Sequence, residues 1–336
     1  MSKIDIIIFI IKEGNKMEQT KTKKETILFR RCCDEWLNQK ENSIKISSYY
    51  NYKFAVEKHI KPILGNKTLS ELEKYDMNEY IKIEKSSILN QKYQTQLEPS
   101  ENVNLKDIII KLKSILKYTQ KNYSINFDFD VFAKISYNCN EVEVFNENER
   151  QKLYRYLTTS NELNNLGILI SLYSGLRIGE VCGLKWKDID LENKVIYVNR
   201  TVQRVYFGKD KKSKVIITPP KTKKSKRKIP ISKVLVDKLK ELKNNYSSDC
   251  FITTGTPEKS FEPLTYRYDY KQLLKKCGLP YKKFHCLRHT FATRCIRVGM
   301  DVKSLSEVLG HSNIGITMNL YVHSSYEVKK KFIDKL

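Results

Sequence analysis

The chain has 336 residues, and its 62 Lys and Arg against 38 Asp and Glu give a net charge of +24 with a sequence pI near 9.5. That length exceeds one average domain and is enough for two separate cores without a disulfide or metal staple. The cationic excess calls for a polyanionic partner, nucleic acid ahead of a membrane surface, because the longest apolar run near the start, residues 4–11, contains Asp5 and falls far short of the ~20 residues that cross a bilayer.

No small-residue cleavage site follows that run, so no export is expected and the protein reads as cytoplasmic. Eight cysteines without a CxxC pair fit a reducing compartment, with Cys32-Cys33 buried as free thiols. Cys286 and His289, beside His285, invite a zinc reading, but no second ligand pair stands at finger or ribbon spacing, so no metal is expected. Lys12-Glu13-Gly14 ahead of Met17 corresponds to purine-rich codons of the form AAA-GAR-GGN, the pattern of a ribosome-binding site. Translation is therefore expected to start at Met17, with residues 1–24 a flexible tail or mis-assigned leader.

From residue 25 the periodicity is helical: Ile27, Leu28, Cys32, Trp36 and Leu37 recur at three- and four-residue steps. A second helix is expected over 44–60, stopped by Pro62 and Gly65, a third over 69–85 and a fourth over 104–118, with 91–102 a loop between the last two. Residues 25–122 thus read as a small all-helical domain, 123–143 as a linker, and 144–336 as a larger domain. The second domain opens with helices over 146–157 and 164–174, the latter ended by Gly175, which places Arg177 at the turn into the next helix. Strand-like runs over 195–199, 202–207 and 214–218 imply one small antiparallel sheet with Gly208-Lys209-Asp210 at a hairpin tip. Helices are expected again over 232–244, 266–277, 286–298, 302–309 and 314–321. The fold class is therefore mainly α with a small antiparallel sheet in the second domain.

Four of the five histidines, His285, His289, His311 and His323, crowd the last 52 residues. His285 and Arg288, three apart, share a helix face and make a donor cluster suited to phosphate. Gly310 is expected at the end of one short helix and Ser312 at the cap of the next, which fixes His311 at a corner ten residues before Tyr321.

Together SGLRIGEVCGLKWKDID, HCLRHTFAT and LGHSNIGITMNLYVH resemble the three boxes of the tyrosine recombinases, the phage integrase family, across about residues 146–321. The resemblance implies Tyr321 as nucleophile, Arg177 and Arg288 as phosphate clamp, Lys221 as the hairpin lysine, His285 and His311 as the two imidazoles, and Glu180 as the acid supporting the first arginine. One departure is Cys286, where the family often has aspartate. The chemistry of the residues agrees. A phenol with pKa ~10 is only about one part in a thousand ionised at neutral pH and needs a base, for which His285 is the candidate, or a strongly positive site. Two guanidiniums can stabilise a pentacoordinate phosphorane where other nucleases use a metal, and an ammonium at Lys221 can protonate the leaving deoxyribose oxygen. Lys223, Lys224, Lys226, Arg227 and Lys228 continue the charge and read as backbone-binding cations, as do Lys53, Lys58, Lys61 and Lys67 of the first domain, which resembles the family's core-binding domain.

The function so implied is site-specific recombination through a 3′-phosphotyrosyl link, without metal, ATP or other cofactor. The basic hairpin over 201–222 looks more like integrases of phages or conjugative transposons than like chromosome-dimer resolvases. The implied partners are duplex DNA, a homotetramer on paired sites, and an excisionase or host DNA-bending protein; a separate arm-binding domain is not expected ahead of Glu25. The competing readings are a Xer-like resolvase, a relaxing enzyme of the type IB topoisomerase kind, and a noncatalytic DNA-binding regulator, which explains the charge but not the reactive positions. A metal-dependent nuclease needs clustered carboxylates, and Asp188 and Asp190 read instead as turn caps.

Overall fold

The structure is a computed structural model and describes residues 25–94, 105–133, 142–207, 212–220, 225–321 and 334. It divides into two compact units, Met1–Cys139 and Asn140–Leu336.

The first unit is helical: α1 (Phe29–Glu41), α2 (Ile46–Ala55), α3 (Lys61–Leu64), α4 (Leu69–Glu73), α5 (Met77–Gln94) and α6 (Leu105–Tyr123). Phe29, Cys32, Cys33, Trp36 and Leu37 of α1 share one core with Ile108, Ile109, Leu112, Ile115 and Leu116 of α6. Pro62 does not stop the second helix as its sequence suggests. The helix passes from α2 into α3 through a π turn, Val56–Ile60, in which the Lys61 N–H reaches back five residues to the Val56 carbonyl. A proline ring clashes with the carbonyl four residues before it, and the widened turn ahead of Pro62 relieves that clash while sparing the missing donor. The helix expected over 69–85 is two helices. Thr68 and Glu71 form a capping box on α4, and the Asp76 carboxylate accepts from the Asn78 N–H to start α5 afresh. At the other end α6 runs on to Tyr123, and Ile125 and Phe132, residues of the expected linker, are buried in this core.

The second unit is built around α8 (Leu163–Ser174), which is buried nearly all round, with α7 (Glu147–Thr159) beside it behind an Asn146–Glu149 capping box. Then follow α9 (Ile178–Cys182), α10 (Lys233–Lys243), α11 (Pro263–Lys276), α12 (His285–Arg297), α13 (Val302–Leu309) and α14 (Ile314–Tyr321). Instead of one sheet the described residues form two. β1 (Ile189–Asp190), β2 (Val195–Val198) and β5 (Arg227–Pro230) form an antiparallel sheet in the order β1-β2-β5, while β3 (Thr201–Phe207) and β4 (Lys212–Thr218) form a separate hairpin. The expected hairpin tip, Gly208-Lys209-Asp210, lies outside the described residues. A cationic strand such as β5 is invisible to hydropathy; it exists because its backbone pairs with β2 from Val195↔Pro230 to Val198↔Arg227. No helix among the described residues is long and apolar enough to cross a membrane.

The first unit also buries a polar pair. His59 Nδ1 lies 2.6 Å from Glu84 Oε1, both side chains at most 5% exposed, and the Tyr80 hydroxyl donates to the His59 carbonyl at 3.2 Å. Glu84→Ala strands that imidazole in the core and is expected to cost about 3–5 kcal/mol, the usual loss when one partner of a buried pair is removed. Glu84→Gln retains a hydrogen-bonding oxygen and is expected to cost far less. Denaturant titration of the two variants checks the order; equal losses would mean that the imidazole needs the carboxylate itself and that a neutral hydrogen-bonding oxygen of the same shape does not replace it.

Candidate active site

Two left-handed glycines shape the site. Gly175, at φ +67°, ends α8, and a Cβ there would stand 2.7 Å from Phe291 Cδ1 and 2.8 Å from Leu309 Cδ2. Gly310, at φ +65°, ends α13, and a Cβ there would stand 3.0 Å from Arg227 Cδ. Only glycine adopts both the conformation and the close approach without strain. These turns point backbone carbonyls at the arginines. The Arg288 guanidinium, in a residue only 1% exposed, donates to the Gly175 and Leu309 carbonyls at 2.8 Å each. Arg177 donates to the next carbonyl, that of Gly310, at 3.3 Å. Residues 111 positions apart in sequence thus hold successive carbonyls of one corner.

Arg177 is the N-cap residue of α9, and its N–H donates to Glu180 Oε2 at 2.9 Å while its guanidinium donates to Oε1 at 2.9 Å. Glu180 thus holds Arg177 through both oxygens, and the carboxylate has a second cation that also meets both of them. Arg227 donates through Nη1 to Glu180 Oε1 and through Nη2 to Oε2, both at 3.0 Å, and through Nε to the Val308 carbonyl at 2.6 Å. Burial alone would raise the Glu180 carboxyl, but Arg227 first and Arg177 after it outweigh burial and hold it below the usual carboxylate range. This corrects the reading of Arg227 as a backbone-binding cation: its side chain is 5% exposed and its donors are spent inside the protein. In the folded strand Arg227 shares a face with buried Ile229 while Lys228 and Pro230 face out, an alternation that exists only once β5 pairs with β2.

The imidazoles gather beside these cations. His285 begins α12, and its ring meets that of His289 edge to face at 4.5 Å. His285 keeps an exposed edge, yet its pKa is pushed down to about 4, by partial burial first and then by His289, Arg288, Arg177 and His311. His289 and His311 are also held at about 4, by burial first and by Arg288 next. His311 Nδ1 lies 2.7 Å from the Thr317 hydroxyl on α14, a contact not foreseen from sequence, which fixes the ring and ties the corner to the helix that ends in Tyr321. Asn313 rather than Ser312 accepts from the N–H that opens α14, that of Gly315. Tyr321 closes α14, which packs on α12 and α13. Cys286 is buried and donates toward Glu143 at 3.4 Å.

Arg177, Glu180, His285, Arg288 and His311 therefore converge, whereas Lys221, Lys223 and Lys224 lie outside the described residues. Of the other expected DNA-binding cations, Lys61 is corrected: it bonds Asp34 and Glu57, each at 2.6 Å, so its charge is neutralised. Lys53 and Lys58 are exposed, and so are Lys226 and Lys228, while Lys67 sits 4.3 Å over the Tyr75 ring. Asp188 caps its turn at the Lys185 N–H and pairs with Arg200, and Asp190 accepts from the Asn193 N–H, so neither faces the site.

The second unit thus brings two arginines and two imidazoles together beside the helix that ends in Tyr321. The chain belongs to the phage integrase family: residues 143–328 match that family and residues 28–84 match the phage integrase N-terminal SAM-like domain. It is 36% identical over 213 residues to a tyrosine recombinase XerC-like protein of Caldanaerobacter subterraneus subsp. tengcongensis, covering 58% of this chain and 54% of that one. With the ICEBs1 integrase of Bacillus subtilis it shares 22% identity over 331 residues, 95% of this chain and 85% of the relative. The chain spans about half the length of several curated relatives, the Enterococcus faecalis transposase from transposon Tn916 among them. In fold it is similar to the Tn1549 transposon integrase in complex with a circular intermediate DNA, with a TM-score of 0.72 and 21% identity over 92% of this chain and 99% of the other.

The depressed histidines set an acid limit on stability. Their folded pKa values near 4 lie below the ordinary 6.5, so the unfolded chain binds more protons between those values. The DNA-free protein is expected to hold a level stability above pH 6.5 and to lose it progressively as pH falls toward 4. Denaturant midpoints across that range check the slope, and His311→Gln should flatten part of it.

Proposed function

We propose that the protein is a site-specific DNA recombinase that integrates or excises a mobile element through a 3′-phosphotyrosyl intermediate. The observation that carries this reading is the meeting of Arg177 and Arg288 on successive carbonyls beside His285 and His311, next to the helix that ends in Tyr321. The Tyr321 phenol attacks the scissile phosphorus, the bond to the 5′ oxygen breaks, and the 3′ phosphate stays on the tyrosine. The phenolic proton passes to neutral His285, whose basicity rises when a phosphodiester anion enters among the cations. Arg177 and Arg288 stabilise the charge on the non-bridging oxygens, a role in which losing one donor costs about 3–4 kcal/mol of transition-state stabilisation. Lys221 gives the leaving 5′ oxygen its proton. The reverse attack by a free 5′ hydroxyl restores the backbone, so bond energy is conserved and no ATP is consumed.

Likeness to the ICEBs1 integrase along nearly the whole chain favours integration of a mobile element over a Xer-type resolving role. On this reading the two units clamp a duplex, four copies act on paired sites, and an excisionase or DNA-bending protein sets the direction. Lys53, Lys58, Lys67, Lys226 and Lys228 contribute backbone contacts, with Lys223 and Lys224 beside the general acid.

Tyr321→Phe removes only the nucleophilic oxygen. It is expected to bind DNA as well as the wild type and form no covalent adduct on a nicked suicide duplex, while the wild type forms one in EDTA. An adduct from the Phe variant, or its loss with EDTA in the wild type, contradicts the mechanism.

Lys221→Ala is expected to cleave ordinary DNA slowly and to recover most of its rate when the bridging 5′ oxygen is sulfur, because a thiolate departs without a general acid. Recovery confined to Lys223→Ala or Lys224→Ala moves the role to that lysine.

A further inference from the structure

Arg227 stands outside the catalytic set that the sequence identified, yet it makes four hydrogen bonds at the centre of the site. Its guanidinium donates twice to Glu180 and once each to the Val308 and Ser225 carbonyls, and its stem fills the space under Gly310 where a Cβ would collide. One side chain therefore ties β5 to α9 and to the end of α13. Arg177 differs from it in every respect that bears on a phosphate. Its side chain is 36% exposed, against 5% for Arg227, and it spends one bond from Nη1 on Glu180 and a long one from Nη2 on Gly310.

A buried carboxylate recruits whatever cation it can reach, and a single guanidinium beside it closes into a two-oxygen fork. With Arg227 present, both Glu180 oxygens are already occupied from one side, and the Arg177 side chain keeps only the contact to Oε1. With Arg227 absent, Arg177 is the only cation left to neutralise the carboxylate, and it would turn from the open face of the site toward Glu180. We propose that Arg227 is a positioning residue for cleavage, which neutralises Glu180 so that the Arg177 guanidinium remains presented to the scissile phosphate. This rests on the recombinase reading above and adds to it a residue that acts through Arg177 rather than touching DNA.

The test measures single-turnover cleavage at saturating protein and half-site affinity in parallel, on a nicked suicide duplex drawn from the DNA flanking the gene. Arg227→Met is expected to lower the cleavage rate about 10- to 100-fold, the range lost with an outer partner of a charged ligand, while the half-site Kd changes less than threefold. Arg227→Lys, which keeps the charge but cannot reach both oxygens and Val308, should fold even where Met does not and is expected to lie between Met and wild type. Adding Glu180→Gln to Arg227→Met removes the unpaired carboxylate and should recover part of the rate. A bridging 5′ sulfur should not rescue either single variant, since the defect is in charge stabilisation and not in the leaving group. Full cleavage by Arg227→Lys or by folded Arg227→Met, an unrecovered double variant, or rescue by sulfur each overturns the proposal. Absence of any wild-type adduct would sink the recombinase reading and the proposal with it, whereas active wild type with equally active Arg227 variants sinks only the proposal.

Discussion

The second unit depends on one buried carboxylate. Glu180 is 5% exposed, and a charge so placed is tolerated only if cations and N–H donors meet both of its oxygens. Arg227 comes from a strand, Arg177 from a helix cap, and each adds a bond to a carbonyl at the end of α13. The requirement to keep that carboxylate ionised thus fixes three elements that are distant in sequence. Such a pair is weak evidence for net stability, since desolvation offsets much of the attraction, but it fixes geometry tightly.

Around that centre the backbone does as much as the side chains. Gly175 and Gly310 each turn the chain through the left-handed region, and the carbonyls so exposed are the ones that Arg288 and Arg177 hold. A guanidinium cannot be deprotonated in a protein, so pinning it to carbonyls orients it without weakening its charge. Burial first, and the neighbouring cations after it, hold His285, His289 and His311 at a pKa of about 4, so that their rings are neutral at neutral pH. Thr317 extends the same order to α14 by fixing the His311 ring, so the helix that ends in Tyr321 is tied to the corner it serves.

The first unit solves a different problem with local devices. Its helix passes Pro62 through a π turn, restarts at Asp76, and closes over a core in which Trp36 stacks on Tyr52. Lys61 shows that a cation on a basic chain is not thereby a DNA contact, because two acids within 2.6 Å claim it.

Local periodicity and capping were legible from the amino-acid order: α13 and α14 fall where their apolar steps put them, α7 starts at its Asn146 cap, and Gly175 ends α8. The motif boxes around Arg177, His285, Arg288, His311 and Tyr321 were legible too, because each is a short run whose spacing is local. What the sequence could not yield are the features made by distant pairing. β5 exists through β2, the two sheets separate because β3 and β4 pair only with each other, and Ile125 and Phe132 belong to a core rather than a linker. Arg227 is the clearest case: within a run of cations it has the same charge as its neighbours, and only the fold sets its guanidinium against a carboxylate 47 positions earlier. Charge is a property of the residue, but whether it faces solvent, a phosphate or a buried partner is decided by tertiary contacts.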